Sequence, residues 1–379
     1  MRKASKVLII SLVVFSLAFN SILAVVLYTD YLHLGQMLKL VLLVKGKALK
    51  PVTIGSMLDG AAGGMVQALQ DPYSEYLTTE NFGRLQEQME GIFGGVGLIL
   101  DASKAEELKV QGVLSGSPAE RAGVQKGDLI VAINGKAVAD ITAMEAADLM
   151  KGPVGSEVSL SVLRGKGARR EFKLKRELIN IKSVEGKILR IPEPVAYIKI
   201  NAFSDHTAAE LSEYWNGLPE VKGVVLDLRD DPGGSLEAAV EAGNYFLPRG
   251  PVVHLVYRDG KRETYEVRGG KLKVPLMVLV NKGTASAAEI LAAAVQDTAS
   301  GLIIGTRTYG KGVVQTIYDL GGNTGLKLTT AKYLSPLGKD INQVGIRPDV
   351  AVEKHGDTDN VLAEALKLLA ERVNSFSFR

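Results

Sequence analysis

GVVLDLRDDPGGSLEAAVEAGNYFL, residues 223–247, runs from a compact apolar strand (GVVLDLR) through a turn (DDPGG) into a helix (LEAAVEAGNYFL). The same order recurs downstream, where PLMVLVN leads into a helical run after Ser286 and GLIIG follows that run. Strands interleaved with helices predict an α/β core, with helices packed on a largely parallel sheet. Ligand sites in such sheets lie where strands hand over to helices, and Gly233–Gly234 and Ser286 both stand at handovers. Between them, PVVHLVYRDGKRETYEV reads as a hairpin closed at Asp259–Gly260.

Upstream of this core the texture changes. From Gly91 the chain shows short strands and glycine turns, with SLSVLR alternating as a half-buried strand should and a helix expected near Ala143–Met150. The stretch GSPAERAGVQKGDLIVAINGK resembles a PDZ domain of the bacterial protease-associated kind, and the likeness covers roughly residues 92–176. It implies peptide capture, in which a glycine-rich turn offers backbone N–H groups to a terminal carboxylate while the peptide adds a strand to the sheet. Gly95, Val96, Gly97 and Leu98 sit where that turn belongs; by themselves, such glycines only permit a tight turn.

Residues 29–90 read as mostly helical, with Leu32, Leu34, Met37, Leu38, Val41 and Leu42 on one face and a helix stopping before Pro72. Ahead of them, Arg2, Lys3 and Lys6 precede an apolar stretch from Val7 to Tyr28, whose 22 residues match the roughly 20 needed to span hydrocarbon. The basic flank keeps the N-terminus cytoplasmic and the remainder outside. A cleavable signal peptide is the rival, although no clear A-x-A site ends the apolar run. At the other end, Val361, Leu362, Leu366, Leu368, Leu369 and Val373 give an amphipathic helix suited to packing or to a partner, so a homodimer through this helix or the 29–60 arm is expected.

Composition narrows the function. The net charge is +3, with 45 basic residues scattered among 42 acids, so no basic face for nucleic acid stands out. There is no cysteine to form a disulfide, a thiolate nucleophile or a cysteine zinc site. His33, His206, His254 and His355 stand far apart without metal-binding spacing, so neither a metal nor another cofactor is expected.

NKGTASAAEILAAAVQD, residues 281–297, places Ser286 at a helix start with Glu289 three positions on, a capping-box spacing. A serine becomes a nucleophile only beside a base. His206 follows FSD in a loop and His254 lies on a hairpin strand, so neither histidine has a site-like setting. Lys311 does, standing between Gly310 and Gly312 in TRTYGKGVVQTIYDL. Read alone it is also an ordinary surface lysine, because a lysine serves as base near neutrality only when burial lowers its pKa from about 10.4.

The strings NKGTASAAEI and YGKGVVQ together are similar to the nucleophile and base motifs of the carboxyl-terminal processing peptidases, also called tail-specific proteases. DPYSEYL, the PDZ segment, YIKINAFSDHTAAEL, VVLDLRDDPGG and YLSPLGKDINQVGIRPDV follow the family's order, and the likeness runs over nearly everything after residue 60. Thr284, Ala288 and Asp230–Asp231 depart from the usual pattern at positions next to the motifs.

The resemblance implies a crotonase/Clp-like α/β core with an inserted PDZ domain. Together with the apolar leader and the helical spacing at either end, it leads us to expect a membrane anchor or signal segment (1–28), a helical arm (29–90), the PDZ domain (91–176), the protease core (177–352) and a C-terminal helical segment (353–379). It also implies a Ser–Lys endopeptidase: Ser286 as nucleophile, Lys311 as general base, Gln315 orienting the amine, Glu289 in support, and the Ala287 and Gly233 amides, with Gly234 as rival to the latter, as oxyanion hole. Arg176, at the PDZ exit, is the implied relay, and protein substrates with unstructured apolar C-terminal tails are the implied partners. The expected location is the cell membrane, single-pass with the protease outside, or secretion if the leader is cut. The competing readings are a catalytically silent PDZ-bearing binding protein, and a hydrolase whose base is His206 or His254.

Overall fold

The computed structural model describes residues 12–22, 24–25, 33–104, 107–165, 167–190, 192–356 and 358–376. Helix α1 (residues 12–22) exposes Leu12, Val13, Val14, Phe15 and Leu17. Residues 7–11, 23 and 26–28 of the expected 7–28 membrane segment lie outside the described residues, and among those described no helix is long and apolar enough to cross a membrane. Helices α2 (Leu34–Lys47) and α3 (Ile54–Gln67) follow, the latter capped by Thr53, whose Oγ1 accepts the Ser56 N–H at 3.1 Å. In DPYSEYL, Asp71 turns the chain by accepting the Tyr73 N–H at 3.2 Å, and β1 (Glu75–Leu77) pairs antiparallel with Gly325–Lys327. The chain up to Thr78, joined by Ile317–Leu328, forms one compact unit, and Thr79–Thr316 with Thr329–Arg379 forms the other. The division falls inside the 29–90 segment, so α4 (Thr79–Glu90) belongs to the larger unit.

In the larger unit, β2 (Ile92–Gly95) leads into a sheet of β3 (Leu98–Lys104), β4 (Glu107–Val113), β5 (Leu129–Ile133), β6 (Lys136–Ala137), β7 (Glu157–Arg164) and β8 (Ala168–Lys175). The order β3-β4-β5-β7-β8 leaves β3 at an edge. The SPAERAG string writes its own short helix, α5 (Pro118–Ala122): Ser117 caps it, proline occupies its first turn, and Gly123 ends it at φ 84°. Helix α6 (Ala143–Met150) starts in a capping box, Thr142 N–H donating to Glu145 and Glu145 N–H to Thr142 Oγ1. Ile130, Ile133, Leu160, Val162 and Leu174 form the core beneath. The chain leaves through β9 (Glu177–Asn180), which pairs antiparallel with β2.

The remaining elements alternate: β10 (Val184–Arg190), β11 (Pro194–Ile200), α7 (Thr207–Asn216), β12 (Gly223–Asp227), α8 (Leu236–Phe246), the hairpin β13 (Gly250–Tyr257) and β14 (Arg262–Val267), β15 (Leu276–Val280), α9 (Ala287–Asp297) and β16 (Leu302–Gly305). Then come β17 (Val313–Gly321), β18 (Thr324–Leu334), β19 (Val350–Ala351) and α10 (Asn360–Phe376). Six strands line up as β10-β11-β12-β15-β16-β19, antiparallel at β10 and parallel from β11 onward. Every residue of β12 and of β15 is buried, as expected for parallel strands covered on both faces. Val224, Leu226, Val278 and Val280 pack with α8 and α9, whereas Val225, Met277 and Leu279 pack with Val361, Ala365 and Leu369 of α10. The apolar stripe of α10 is therefore covered by its own sheet. Each fully buried aliphatic side chain here contributes about 1.5–3 kcal/mol.

Candidate active site

Two loops leave the C-terminal ends of neighbouring parallel strands, 228–235 after β12 and 281–286 after β15. Side chains stitch them together. Asn281 Oδ1 accepts the N–H of Asp230 (3.0 Å) and of Gly283 (2.9 Å), and its Nδ2 donates to Asp230 Oδ1 at 2.9 Å. Thr284 Oγ1 donates to the Leu228 carbonyl at 2.7 Å, and Ala285 N–H donates to the Asp231 carbonyl at 2.9 Å. The approach is close enough to demand glycine: a Cβ on Gly233, at φ 93°, would fall 2.7 Å from the Ala287 nitrogen and 2.8 Å from Ser286 Cβ.

Ser286 has φ 54° and ψ −119° where an ordinary N-cap is extended, a sparsely populated conformation for a residue with a side chain. Such strain persists only where surroundings over-determine it. Here they do. Glu289 is fully buried, and its Oε2 accepts both the Ser286 N–H and the Lys311 N–H at 2.9 Å. Its Oε1 accepts the Gly310 N–H at 2.7 Å and the Thr308 hydroxyl at 2.5 Å. On the carbonyl side, the Tyr333 hydroxyl donates to Ser286 O at 3.1 Å and to Lys311 O. One carboxylate and one phenol thus hold the serine turn and the lysine turn together, so that Ser286 and Lys311, 25 positions apart, become neighbours.

The other expected residues fall as follows. Ala287 is the first residue of α9, a position whose N–H has no partner within the helix. The Gly233 N–H donates to Asp231 Oδ1 at 2.8 Å. The Gly234 N–H takes no hydrogen bond among the described residues. Gln315 lies half-buried on β17 and donates through Nε2 to Thr329 Oγ1 at 3.2 Å. His254 places Nδ1 2.8 Å from Thr264 Oγ1 and Nε2 3.2 Å from the Pro336 carbonyl, and His206 precedes α7; neither ring meets the serine turn.

In the PDZ segment, Gly95 ends β2, Leu98 opens β3, and Val96 and Gly97 form the turn between them. That turn is braced, since Val96 O accepts the Ala119 N–H and a Cβ on Gly97 would lie 2.2 Å from Ser117 Cβ. Buried Arg176 donates to the carbonyls of Leu149, Met150 and Glu157 and to Ser156 Oγ, tying the C-terminus of α6 to the exit strand.

Asp231 and Tyr333 stand within the quoted strings, but the sequence assigns neither a place at the site. Asp231 is wholly buried; Oδ1 takes the Gly233 N–H, while Oδ2 has no hydrogen-bond partner. Burial pushes its carboxyl up to about 8, against the opposing pull of the Gly233 N–H and of Lys199 on β11. An aspartate inside a glycine-proline turn reads as a turn former, and only the sheet shows what it touches.

Residues 194–352 match peptidase family S41, and residues 109–164 match the PDZ domain family. A carboxyl-terminal-processing protease of Synechocystis sp. is 38% identical over 297 residues, covering 76% of this chain and 70% of the relative. The carboxy-terminal processing protease CtpA of Bacillus subtilis is 35% identical over 333 residues, covering 83% and 71%. Among solved structures, the photosystem II D1 C-terminal processing protease aligns with a TM-score of 0.50 at 31% identity, over 83% of this chain and 86% of that one. With this kinship, and with a serine held at a strained turn where strand passes to helix, the chain belongs to the carboxyl-terminal processing proteases of peptidase family S41, serine-type peptidases.

Proposed function

We propose that Ser286 and Lys311 act as a Ser–Lys dyad. Ser286 Oγ attacks the scissile carbonyl as the Lys311 amine takes its proton; the amine then protonates the leaving peptide nitrogen, and water releases the acyl-enzyme. The observation that carries this reading is the single Glu289 Oε2 shared by the Ser286 and Lys311 N–H groups. The Ala287 N–H, at the positive end of α9, is the first oxyanion donor. The second comes from the 233–234 turn, where Gly234 offers its N–H and Gly233 would have to share the one Asp231 holds. Gln315, four residues past Lys311, is assigned to orient the amine. The crotonase-like description of the core is supported by its parallel strands and the helices on both faces.

The PDZ domain, in this reading, takes an apolar C-terminal tail as an added strand along the open edge of β3, with its carboxylate at the 95–98 turn. Arg176 relays occupancy to the core. The basic-flanked apolar segment 7–28 anchors the protein in the cell membrane with the peptidase outside, or, if cut, lets it be secreted. Exposed Met37, Leu38, Leu40 and Leu42 on α2 fit a homodimer contact.

The test is cleavage of an unfolded protein bearing an apolar C-terminal tail, beside the same protein with an acidic tail. Ser286→Ala and Lys311→Ala are each expected to lower kcat by about 10⁴- to 10⁶-fold while the melting temperature holds. Cleavage retained in either purified variant would sink the dyad. A parent that binds tail peptides without ever cutting would instead be a binding protein.

A further inference from the structure

We propose that Asp231 is a positioning residue for this chemistry: as a neutral carboxylic acid it holds the Gly233 turn against Ser286, and loss of its proton lets that turn go and silences cleavage in alkaline solution. The proposal rests on the Ser286 reading above. Its geometry stands apart from that reading.

Asp231 touches both turns at once. Its carbonyl accepts the N–H of Ala285, the residue before Ser286, and its Oδ1 accepts the N–H of Gly233, whose Cα faces Ser286 Cβ and the Ala287 nitrogen. The side chain has no exposure, and Oδ2 has no hydrogen-bond partner. A carboxylate with one bare buried oxygen would be costly, because a buried charge must be paired or hydrogen-bonded. A carboxylic acid resolves this: the proton sits on Oδ2 and Oδ1 remains the acceptor that Gly233 requires.

The charged groups on the surrounding elements do not supply the missing pair. On its own loop, Arg229 is engaged by Asp227 and Asp359, and Asp230 accepts from Asn281. The Ser286 loop carries Lys282, and Lys311 follows on the lysine turn. From β11, Lys199 lowers the carboxyl, yet burial outweighs it and leaves the group titrating near 8. When the proton leaves to solvent, the charge can be hydrated only if water enters or the side chain swings out. Either movement takes Gly233 away from the nucleophile.

The experiment uses the full-length protein in detergent, with the apolar-tailed substrate, over about pH 6 to 10. For the parent, kcat/KM is expected to fall about tenfold per pH unit above about 8. Asp231→Asn keeps the acceptor oxygen and has no proton to lose, so it should cleave at neutral pH and lack the falling limb. Asp231→Ala should be at least about tenfold slower at pH 7. An unchanged falling limb in Asp231→Asn overturns the proposal, as does an Asp231→Ala variant as fast as the parent.

A second readout does not need catalysis. In Ser286→Ala protein the melting temperature should decline as pH rises from about 5 to 8, because the folded state keeps a proton the unfolded chain has released. Adding Asp231→Asn should flatten that decline, and a decline left intact overturns the proposal even if the dyad has already failed. Should Asp231→Asn not fold, the infrared carbonyl band of a protonated carboxyl decides: it is expected at about pH 6 and gone by about pH 10, and its absence at pH 6 overturns the idea.

Discussion

Glu289 illustrates how one side chain can answer several local demands. As a cap it satisfies the Ser286 N–H; as a buried acceptor it also fixes Thr308, Gly310 and Lys311. Glu289→Gln keeps the shape but turns an NH₂ toward groups that are themselves donors. We expect a loss of about 3–5 kcal/mol in stability, read by denaturant melting, because several buried donors lose their acceptor together. Surviving protein should show kcat down by about 10²-fold as the two turns drift apart. Near-parental stability and rate would remove Glu289 from this role. The S-x-x-E spacing made the cap legible in the sequence. Tyr333 was not legible, since its bond to Ser286 spans 47 positions and exists only once β18 lies beside the serine turn.

Whole elements were more readable where local chemistry decides them. SPAERAG holds the cap, the starting proline and the terminating glycine of α5 within seven residues, and the apolar runs GVVL in β12 and LMVLV in β15 announce strands buried on both faces. The α10 stripe was ambiguous, because amphipathicity gives a buried face without naming its partner; Val225, Met277 and Leu279 turn out to be that partner. DPYSEYL shows the opposite failure: a three-residue strand depends on a mate some 250 positions away and carries little signal of its own. At α6, Arg176→Ala should expose the carbonyls of Leu149 and Met150. Amide exchange over the last turn of α6 is expected to speed up by about 10- to 100-fold, with α9 unchanged. Equal protection in both proteins would mean that the arginine is dispensable there.

For the molecule as a whole, acid and alkali attack different places. Arg164 grips Asp128 through two hydrogen bonds, 2.7 and 2.6 Å, and holds its carboxyl below the usual range; Arg229 does the same for Asp359 at the start of α10. A depressed carboxyl stabilises the fold above its unfolded value, near about 3.9, and that contribution is lost as pH falls through the folded value. Heat melts between about pH 6 and 2 should therefore show a decline that Asp128→Asn lessens; an identical decline in that variant would place the acid sensitivity elsewhere. Asp231, whose carboxyl burial pushes up to about 8, titrates with the opposite sense, so its contribution to stability is lost as pH rises rather than as it falls.

The strands β2 and β9 remain hydrogen-bonded to each other from Ile92↔Asn180 to Gly95↔Glu177. Everything between them leaves and returns through one doorway, one strand-width across. Beyond this paired stem, the intervening residues also meet α4, where Arg84 pairs with Asp148 and Glu87 with Lys151. Because both ends of that intervening cassette are fixed side by side, its interior can vary in length without altering the register of the parallel sheet from which the Ser286 turn leaves.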